Sequence, residues 1–233
     1  MKSIINLWRR LGKPYRKEML RVYDFYQHKI LKHPNEFADM KKIMKTDKIN
    51  IVDGGANTGA YTTMFKLYFP EACIYAFEPL KYLNLKDQIR GLDRVTIYTC
   101  ALGSKEGIVK FNPVHQWVKR ELIKENFKEP VVEKEIDVGM RSLDAFNIDF
   151  HIIKLDLEGY ELEALKGATE KLEKAKIVFV EVYFIQYFKN QPQFYDIVEF
   201  LNKYNFKLYN IYDLNRGQLK HANAMFVKKD CNE

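Results

Sequence analysis

The sequence predicts an α/β protein: a mostly parallel β-sheet covered on both faces by helices, with a helical extension in front of it. Three observations carry that prediction. From residue 49 onward, short apolar runs with β-branched and aromatic residues alternate with segments of helical spacing. A glycine-rich segment stands between the first such run and the first such helix. The 233 residues, 47% of them apolar, suit one domain with a full core.

The first fifty residues read as helices. Ile4, Leu7, Trp8 and Leu11 share one face until Gly12 and Pro14 break the pattern. Tyr15, Met19, Val22, Tyr23, Tyr26 and Ile30 form a second stripe that stops at His33-Pro34-Asn35. A third, short helix is expected over 36–45. Strands follow at 49–53, 74–77 and 95–100, with helices at 60–68 and 80–90 between them. Ser104-Lys105-Glu106-Gly107 reads as a hairpin turn before 108–111. Residues 112–135 are charged and weakly patterned and read as an insertion or lid. A strand at 151–156, a helix at 160–172, a strand at 177–182 and a helix at 194–204 come next. Strands at 206–212 and 222–228, expected to pair as a hairpin-like edge, complete seven main strands. The chain therefore divides into a basic helical extension over 1–48 and an α/β domain over 49–233.

Lys and Arg number 38 against 31 Asp and Glu, a formal net charge of +7. The excess is local. Residues 1–50 hold 13 basic and 5 acidic residues, whereas residues 51–233 hold 25 and 26. A basic catalytic face is therefore not expected. No run approaches the roughly 18 apolar residues of a membrane span. The apolar stretch from Ile4 to Trp8, broken by Asn6, reads as too short for a secretory signal. Cys73, Cys100 and Cys231 are scattered and offer neither a disulfide framework nor a zinc site. A reducing cytoplasm is the expected compartment. The arm's aromatic stripe and charge also suit the inner, anionic face of a membrane.

Val52-Asp53-Gly54-Gly55-Ala56-Asn57-Thr58-Gly59 follows a strand and precedes a helix. Glycines let the backbone turn sharply and approach a ligand, and the helix behind offers free N–H groups. A second acid, Glu78, ends the next strand just before Pro79, where it can bind ribose hydroxyls. A dinucleotide loop reads G-x-G-x-x-G and seats a pyrophosphate on the helix N-terminus. This loop reads D-x-G-x-N-x-G, and Asp53 would repel a phosphate and attract an ammonium. A cofactor with an amino-acid end and a ribose but no phosphate suits it: S-adenosyl-L-methionine. The plainer alternative is a strand-to-helix turn with Asp as its cap.

Taken in order, that loop, Ala76-Phe77-Glu78-Pro79, Ala101-Leu102-Gly103, Ile153-Lys154-Leu155-Asp156-Leu157-Glu158-Gly159-Tyr160-Glu161 and Val180-Glu181-Val182 resemble the FkbM family of S-adenosylmethionine-dependent methyltransferases. The resemblance covers residues 49 to about 228. It implies a class I, Rossmann-like methyltransferase fold with seven strands, the last antiparallel. It also implies methyl transfer to a hydroxyl, often on a sugar or a small natural product. By the same resemblance, Asp53, Gly54, Gly55, Ala56, Asn57, Thr58 and Gly59 surround the methionine end of the cofactor. Glu78, beside Pro79, holds the ribose diol, and Ala101 and Leu102 lie by the adenine. Asn57 stands where the general loop has glycine, and Asn tolerates a left-handed backbone.

Asp156-Leu157-Glu158-Gly159 ends a strand at the carboxyl edge of the sheet, where open α/β sheets bind ligands. If the strand runs on through residue 158, side-chain alternation points Asp156 and Glu158 the same way. Glu181 ends the next strand beside them. Asp156, Glu158 and Glu181 are therefore candidate catalytic groups near the cofactor methyl. His221 ahead of the last strand and His115 in the insertion are the histidines able to reach an acceptor. Carboxylates here suit either a general base or a magnesium site that acidifies the acceptor hydroxyl. No metal-ligand spacing is diagnostic, so no metal ligand is assigned. The plainer reading has Glu158 capping the helix near Tyr160 and Glu181 paired with a lysine. Trp117, Tyr183, Phe184 and Tyr187 either floor a sugar site or pack the core.

Other classes compete. A nucleic-acid methyltransferase could use the basic arm on phosphates. Amino-group enzymes, however, generally carry Asn/Asp-Pro-Pro-aromatic where this chain has Asp156-Leu157-Glu158-Gly159, and an acidic mouth repels a phosphate backbone. A dinucleotide-dependent oxidoreductase lacks its loop. A non-catalytic module has no use for Asp53, Glu78 and Asp156 together. The expected partner is a small-molecule or sugar acceptor, free or linked to a nucleotide or lipid, and nucleic acid is not expected. The arm is expected to dock on the sheet, to join a homo-oligomer contact, or to lie peripherally on a membrane.

Overall fold

A computed structural model describes residues 35–81, 85–126, 134–213 and 219–229. The first two helices expected in the arm lie outside the described residues.

Helix α1 (Glu36–Met44) starts at Asn35, whose side chain accepts from the N–H groups of Phe37 and Ala38. It ends at Lys45 in a left-handed conformation. Its apolar face carries Phe37, Met40 and Met44 inward. The Phe37 ring packs on Tyr61, Phe65 and Tyr68 of helix α2 (Ala60–Tyr68).

Seven strands make the main sheet: β1 (Asn50–Gly54), β2 (Cys73–Phe77), β3 (Val95–Tyr98), β8 (Ile152–Leu155), β9 (Ile177–Tyr183), β10 (Phe206–Tyr212) and β11 (His221–Lys228). Their order is β10-β11-β9-β8-β1-β2-β3. Neighbours from β9 to β3 are parallel, and β11 runs antiparallel between β9 and β10, as the resemblance implied. All four residues of β8 are buried, the pattern of a strand covered on both faces. One face packs under α1 and α2, with Ile51, Phe65, Ile74 and Phe179 in its core. The other packs Val52, Leu155, Val180 and Phe226 under three helices, α4 (Glu161–Lys166), α5 (Thr169–Lys174) and α6 (Phe194–Asn202).

Several boundaries differ from the sequence reading. The helix expected over 160–172 is two helices. They break at Gly167, where an added Cβ would lie 2.1 Å from the carbonyl oxygen of Gly103. In the stretch expected as a helix over 80–90, the described helix is α3 (Leu85–Gln88). The strand expected over 151–156 stops at Leu155. A second sheet was not foreseen. It holds β4 (Ala101–Leu102), β5 (Gly107–Asn112), β6 (Trp117–Val118) and β7 (Ile136–Arg141), in the order β4-β7-β5-β6. The first part of the presumed insertion therefore belongs to this sheet. It then crosses to the segment after β9, where Leu122 bridges Phe188. Among the described residues, no helix is long and apolar enough to cross a membrane.

Candidate active site

A cleft opens at the carboxyl ends of β1, β2 and β8, with about 620 Å³ of free space counted out to its mouth. Eight of the residues singled out in the sequence stand on its wall: Gly55, Asn57, Glu78, Pro79, Ala101, Leu102, Asp156 and Glu158. Phe111 and Val118 close it from the second sheet, and Gln116 reaches in from the turn between their strands.

The glycine loop wraps one side. The N–H groups of Gly55 and Ala56 both donate to the carbonyl of Phe77, at 3.0 Å each. Gly55 is left-handed, and a Cβ there would lie 1.9 Å from the carbonyl oxygen of Asp156, so only glycine fits. Asn57 is left-handed too, with φ of 50°. Its N–H donates to Glu78 Oε2 at 2.9 Å, and the N–H of Leu80 donates to Glu78 Oε1 at 2.9 Å. Burial pushes the Glu78 carboxyl up, against these two donors. The Asn57 side-chain amide donates to Gln116 Oε1 at 2.8 Å, tying the loop to the second sheet.

Asp53 does not face the cleft. It is fully buried, accepts from the Thr62 hydroxyl at 2.6 Å and pairs with Lys154 Nζ at 3.1 Å. The sequence reading set Asp53 at the methionine end of the cofactor; in the structure its charged partner is Lys154, and neither residue lines the cleft. That ammonium also donates to the carbonyls of Gly54 and Gly55, and lies 3.7 Å from Asp156. Gly54, Ala56, Thr58 and Gly59 shape the loop rather than the wall, with Gly59 as the left-handed N-cap of α2.

The second constellation is assembled by a turn and not by strand alternation. After β8, Glu158 and Gly159 both take left-handed backbones, with φ of 55° and 86°. The Glu161 carboxyl accepts from the N–H groups of Leu157 (2.7 Å) and Gly159 (3.1 Å). Glu161, not Glu158, thus ties the turn to its helix. Glu158 is left at the mouth facing Asp156, Glu181 and His221, and solvent still reaches it. Crowding by protein, then Glu181 and Asp156, push its carboxyl up to about 8. Burial also raises Asp156, against the pull of Lys154.

Among the described residues, Glu181 has no lysine partner. The Tyr183 hydroxyl donates to its Oε2 at 2.5 Å, and His221 Nδ1 lies 3.1 Å from its Oε1. Antiparallel pairing of β11 with β9 explains this. His221 opens β11, opposite Tyr183, rather than preceding the strand. The bond to Glu181 raises the His221 imidazole above its ordinary value, against its burial. His115 is stacked on Trp117 at 4.6 Å, and Trp117 is buried edge-on to Phe188, so these two pack rather than floor the cleft.

None of the described lining residues is Lys or Arg. Glu78, Asp156 and Glu158 supply carboxyls, and Phe77, Leu102 and Val118 supply apolar wall. That set fits a nucleoside carrying positive charge and does not fit a pyrophosphate. Among the described residues, no group of three or more His, Cys, Asp or Glu side chains is placed to hold a metal ion. The magnesium alternative therefore finds no support.

The family model of the methyltransferase FkbM domain matches residues 53–208, from Asp53 through both constellations to β10. The chain belongs to the FkbM methyltransferase family. A relative of this FkbM-family chain, methyltransferase sdnD of Sordaria araneosa, is 27% identical over 173 aligned residues, which cover 57% of this chain and 66% of that protein. The match thus spans a little less than two thirds of the relative's length. Among solved structures, the fibrillarin pre-rRNA processing protein of Methanococcus jannaschii is similar at a TM-score of 0.50. It is 11% identical over 79% of this chain and 68% of that one. Magnesium protoporphyrin IX methyltransferase of Synechocystis, with bound SAH, is similar at 0.48 and 10% identity, over 82% and 79% of the two chains. The fibrillarin likeness speaks for the fold alone.

The sequence reading missed four contributors. Lys154 and Glu161 stood inside the quoted motif, where a lysine two residues before the acid was the available signal. Gln116 and Arg120 come from the weakly patterned insertion and carried none.

Proposed function

We propose that the chain is an S-adenosylmethionine-dependent O-methyltransferase acting on a hydroxyl of a sugar, a glycan or a small natural product. The observation that carries this reading is the carboxyl cluster at the mouth of the cleft: Glu158 beside the Glu181–His221 pair, at the carboxyl edge of the sheet. When bound, S-adenosylmethionine supplies a methyl group on a sulfonium, so the leaving group needs no acid. The residues then have separable duties. Glu78, fixed by Asn57 and Leu80, takes the ribose hydroxyls. Phe77 and Leu102 flank the base, and Asp156 faces the positive charge. Glu158 accepts the proton of the acceptor hydroxyl. Glu181, braced by Tyr183 and His221, holds the acceptor against that base. The rest is positioning of two reactants in line. Acidic lining at the mouth supports a neutral acceptor hydroxyl over a nucleic-acid backbone.

The test uses the full chain with methyl-labelled S-adenosylmethionine and a panel of free sugars, nucleotide-linked sugars, polyols, amines and structured RNA. Label should enter a base-stable ether on a small hydroxylated acceptor, and Glu158→Gln should lower turnover by about 10²-fold or more while cofactor binding persists. Label confined to RNA or amines would overturn the reading, as would calorimetry showing tight binding of NAD and none of S-adenosylmethionine.

A further inference from the structure

The turn that carries Glu158 is gripped from two sides. Its N–H groups, from Leu157 and Gly159, go to Glu161. Its carbonyls go to Arg120: Nη2 donates to Glu158 O and Nη1 to Gly159 O, at 2.6 Å each, while Nε donates to Val118 O at 3.2 Å. These bonds use the guanidinium as a fork, a geometry that a lysine cannot supply. The guanidinium carbon lies 3.7 Å from the Phe188 ring centroid and 5.5 Å from that of Tyr160. Among the described residues no carboxyl stands within ion-pair distance of it. The fork is therefore committed to backbone and ring faces. Behind the turn, a Cβ on Gly159 would lie 2.3 Å from Gln191 Nε2, and Gln191 is itself held by the N–H groups of Tyr187 and Phe188 on its Oε1.

Two consecutive left-handed residues, one of them not glycine, do not persist without such support. Half of that support arrives from a remote part of the chain. The stretch after Arg120 is laid against the segment that follows β9. Ile123 N–H donates to Tyr187 O and Lys189 N–H to Glu121 O, both at 2.9 Å, and Leu122 bridges Phe188.

We propose that Arg120 is a positioning residue for methyl transfer. Its fork sets where the Glu158 carboxyl stands, and it couples the seating of residues 120–126 on the segment after β9 to the assembly of the acceptor side of the cleft. The methyl-transfer part of this rests on the reading of Glu158 as the base; the grip on the turn does not.

The experiment compares Arg120→Lys and Arg120→Met with the parent protein. Hydrogen exchange of the Gly159 and Leu157 amides reports the turn directly, without turnover. Both variants should lose protection there, and both should lose kcat by about 10- to 100-fold, the scale of an ångström misplacement. Affinity for S-adenosylmethionine should be unchanged, which also shows that the variants fold. Charge and fork separate in the pH profile. Asp156, Glu181, Tyr183, His221 and Arg120 all act electrostatically on or with Glu158. Arg120→Met removes a positive charge that favours the ionised form, so the acid limb of kcat/KM should move to higher pH. Arg120→Lys keeps the charge, so that limb should stay while kcat falls. Full kcat in Arg120→Lys, or undiminished protection at Gly159, would overturn the proposal. If Glu158→Gln retains activity while the Arg120 variants lose protection at the turn, the base assignment fails and the grip stands.

Discussion

Lys154 is the residue on which both motifs meet. It is buried in β8 with its ammonium between Asp53 and Asp156, on the carbonyls of Gly54 and Gly55 and 4.8 Å from the Tyr61 ring centroid. Burial by itself would lower its pKa, but the two acids outweigh that and hold it above its ordinary value. Lys154→Met would leave Asp53, with no exposed surface, as a buried charge without its cation. The expected loss is about 3–5 kcal/mol of stability, read as a lower urea midpoint, and Asp53→Asn in the same chain should restore part of it. No recovery in the double variant would show that the pair is not the source. Glu158 gives a second prediction at this scale. If Glu158 is the base, as proposed, a carboxyl raised to about 8 is competent only when ionised, so kcat/KM should rise with pH and level off above about 8. Glu158→Gln should remove that limb along with most of the turnover. A flat profile in the parent would assign the proton to another group.

At the scale of elements, helix α1 carries a buried acid at its start. Glu36 is almost fully buried, and burial pushes its carboxyl up to about 7 from an ordinary 4.5. The folded state therefore holds the proton more tightly than the unfolded state. The sign follows: stability is unaffected below about 4.5, falls as pH climbs towards about 7, and stays reduced above that. Glu36→Gln should stabilise the protein at pH 8 by roughly 2–3 kcal/mol and have little effect at pH 4. Denaturant midpoints of the two proteins that stay parallel across this range would refute it. Elements of this kind were legible in proportion to how locally their pattern is written. Helix α2 matches its expected span because Gly59 and Pro70 bracket a dense apolar stripe. The seven main strands were legible as apolar runs set between turn residues. Strand β7 was not, because it is half-exposed and carries Asp137 and Gly139 on its outward positions. Strands β4 and β6, at two residues each, have no period to read. The site divides the same way. Its wall came from motifs on strand ends, whereas Arg120 and Gln116 act through contacts with residues tens of positions away. Glu158 reaches the mouth through a left-handed turn that alternation could not foresee.

Across the whole molecule, charge and chemistry are separated along the chain. The net charge of +7 comes from residues 1–50, while the cleft is walled by residues 55–160 and lined with carboxyls. On charge alone, a cationic ligand would be drawn to that wall without help from the arm, and an anionic surface would be drawn to the arm without help from the wall. Removing residues 1–13 takes away Lys2, Arg9, Arg10 and Lys13 and no residue of the wall. Affinity for S-adenosylmethionine, measured by calorimetry, should therefore be the same in the truncated and full chains. Co-sedimentation with anionic vesicles should weaken in the truncated chain, and the binding it loses should be the part that salt suppresses. The two readouts move independently only if the arm serves a partner and the cleft serves the cofactor. A fall of about tenfold or more in cofactor affinity, equivalent to about 1.4 kcal/mol, would place the arm in the site and defeat the separation.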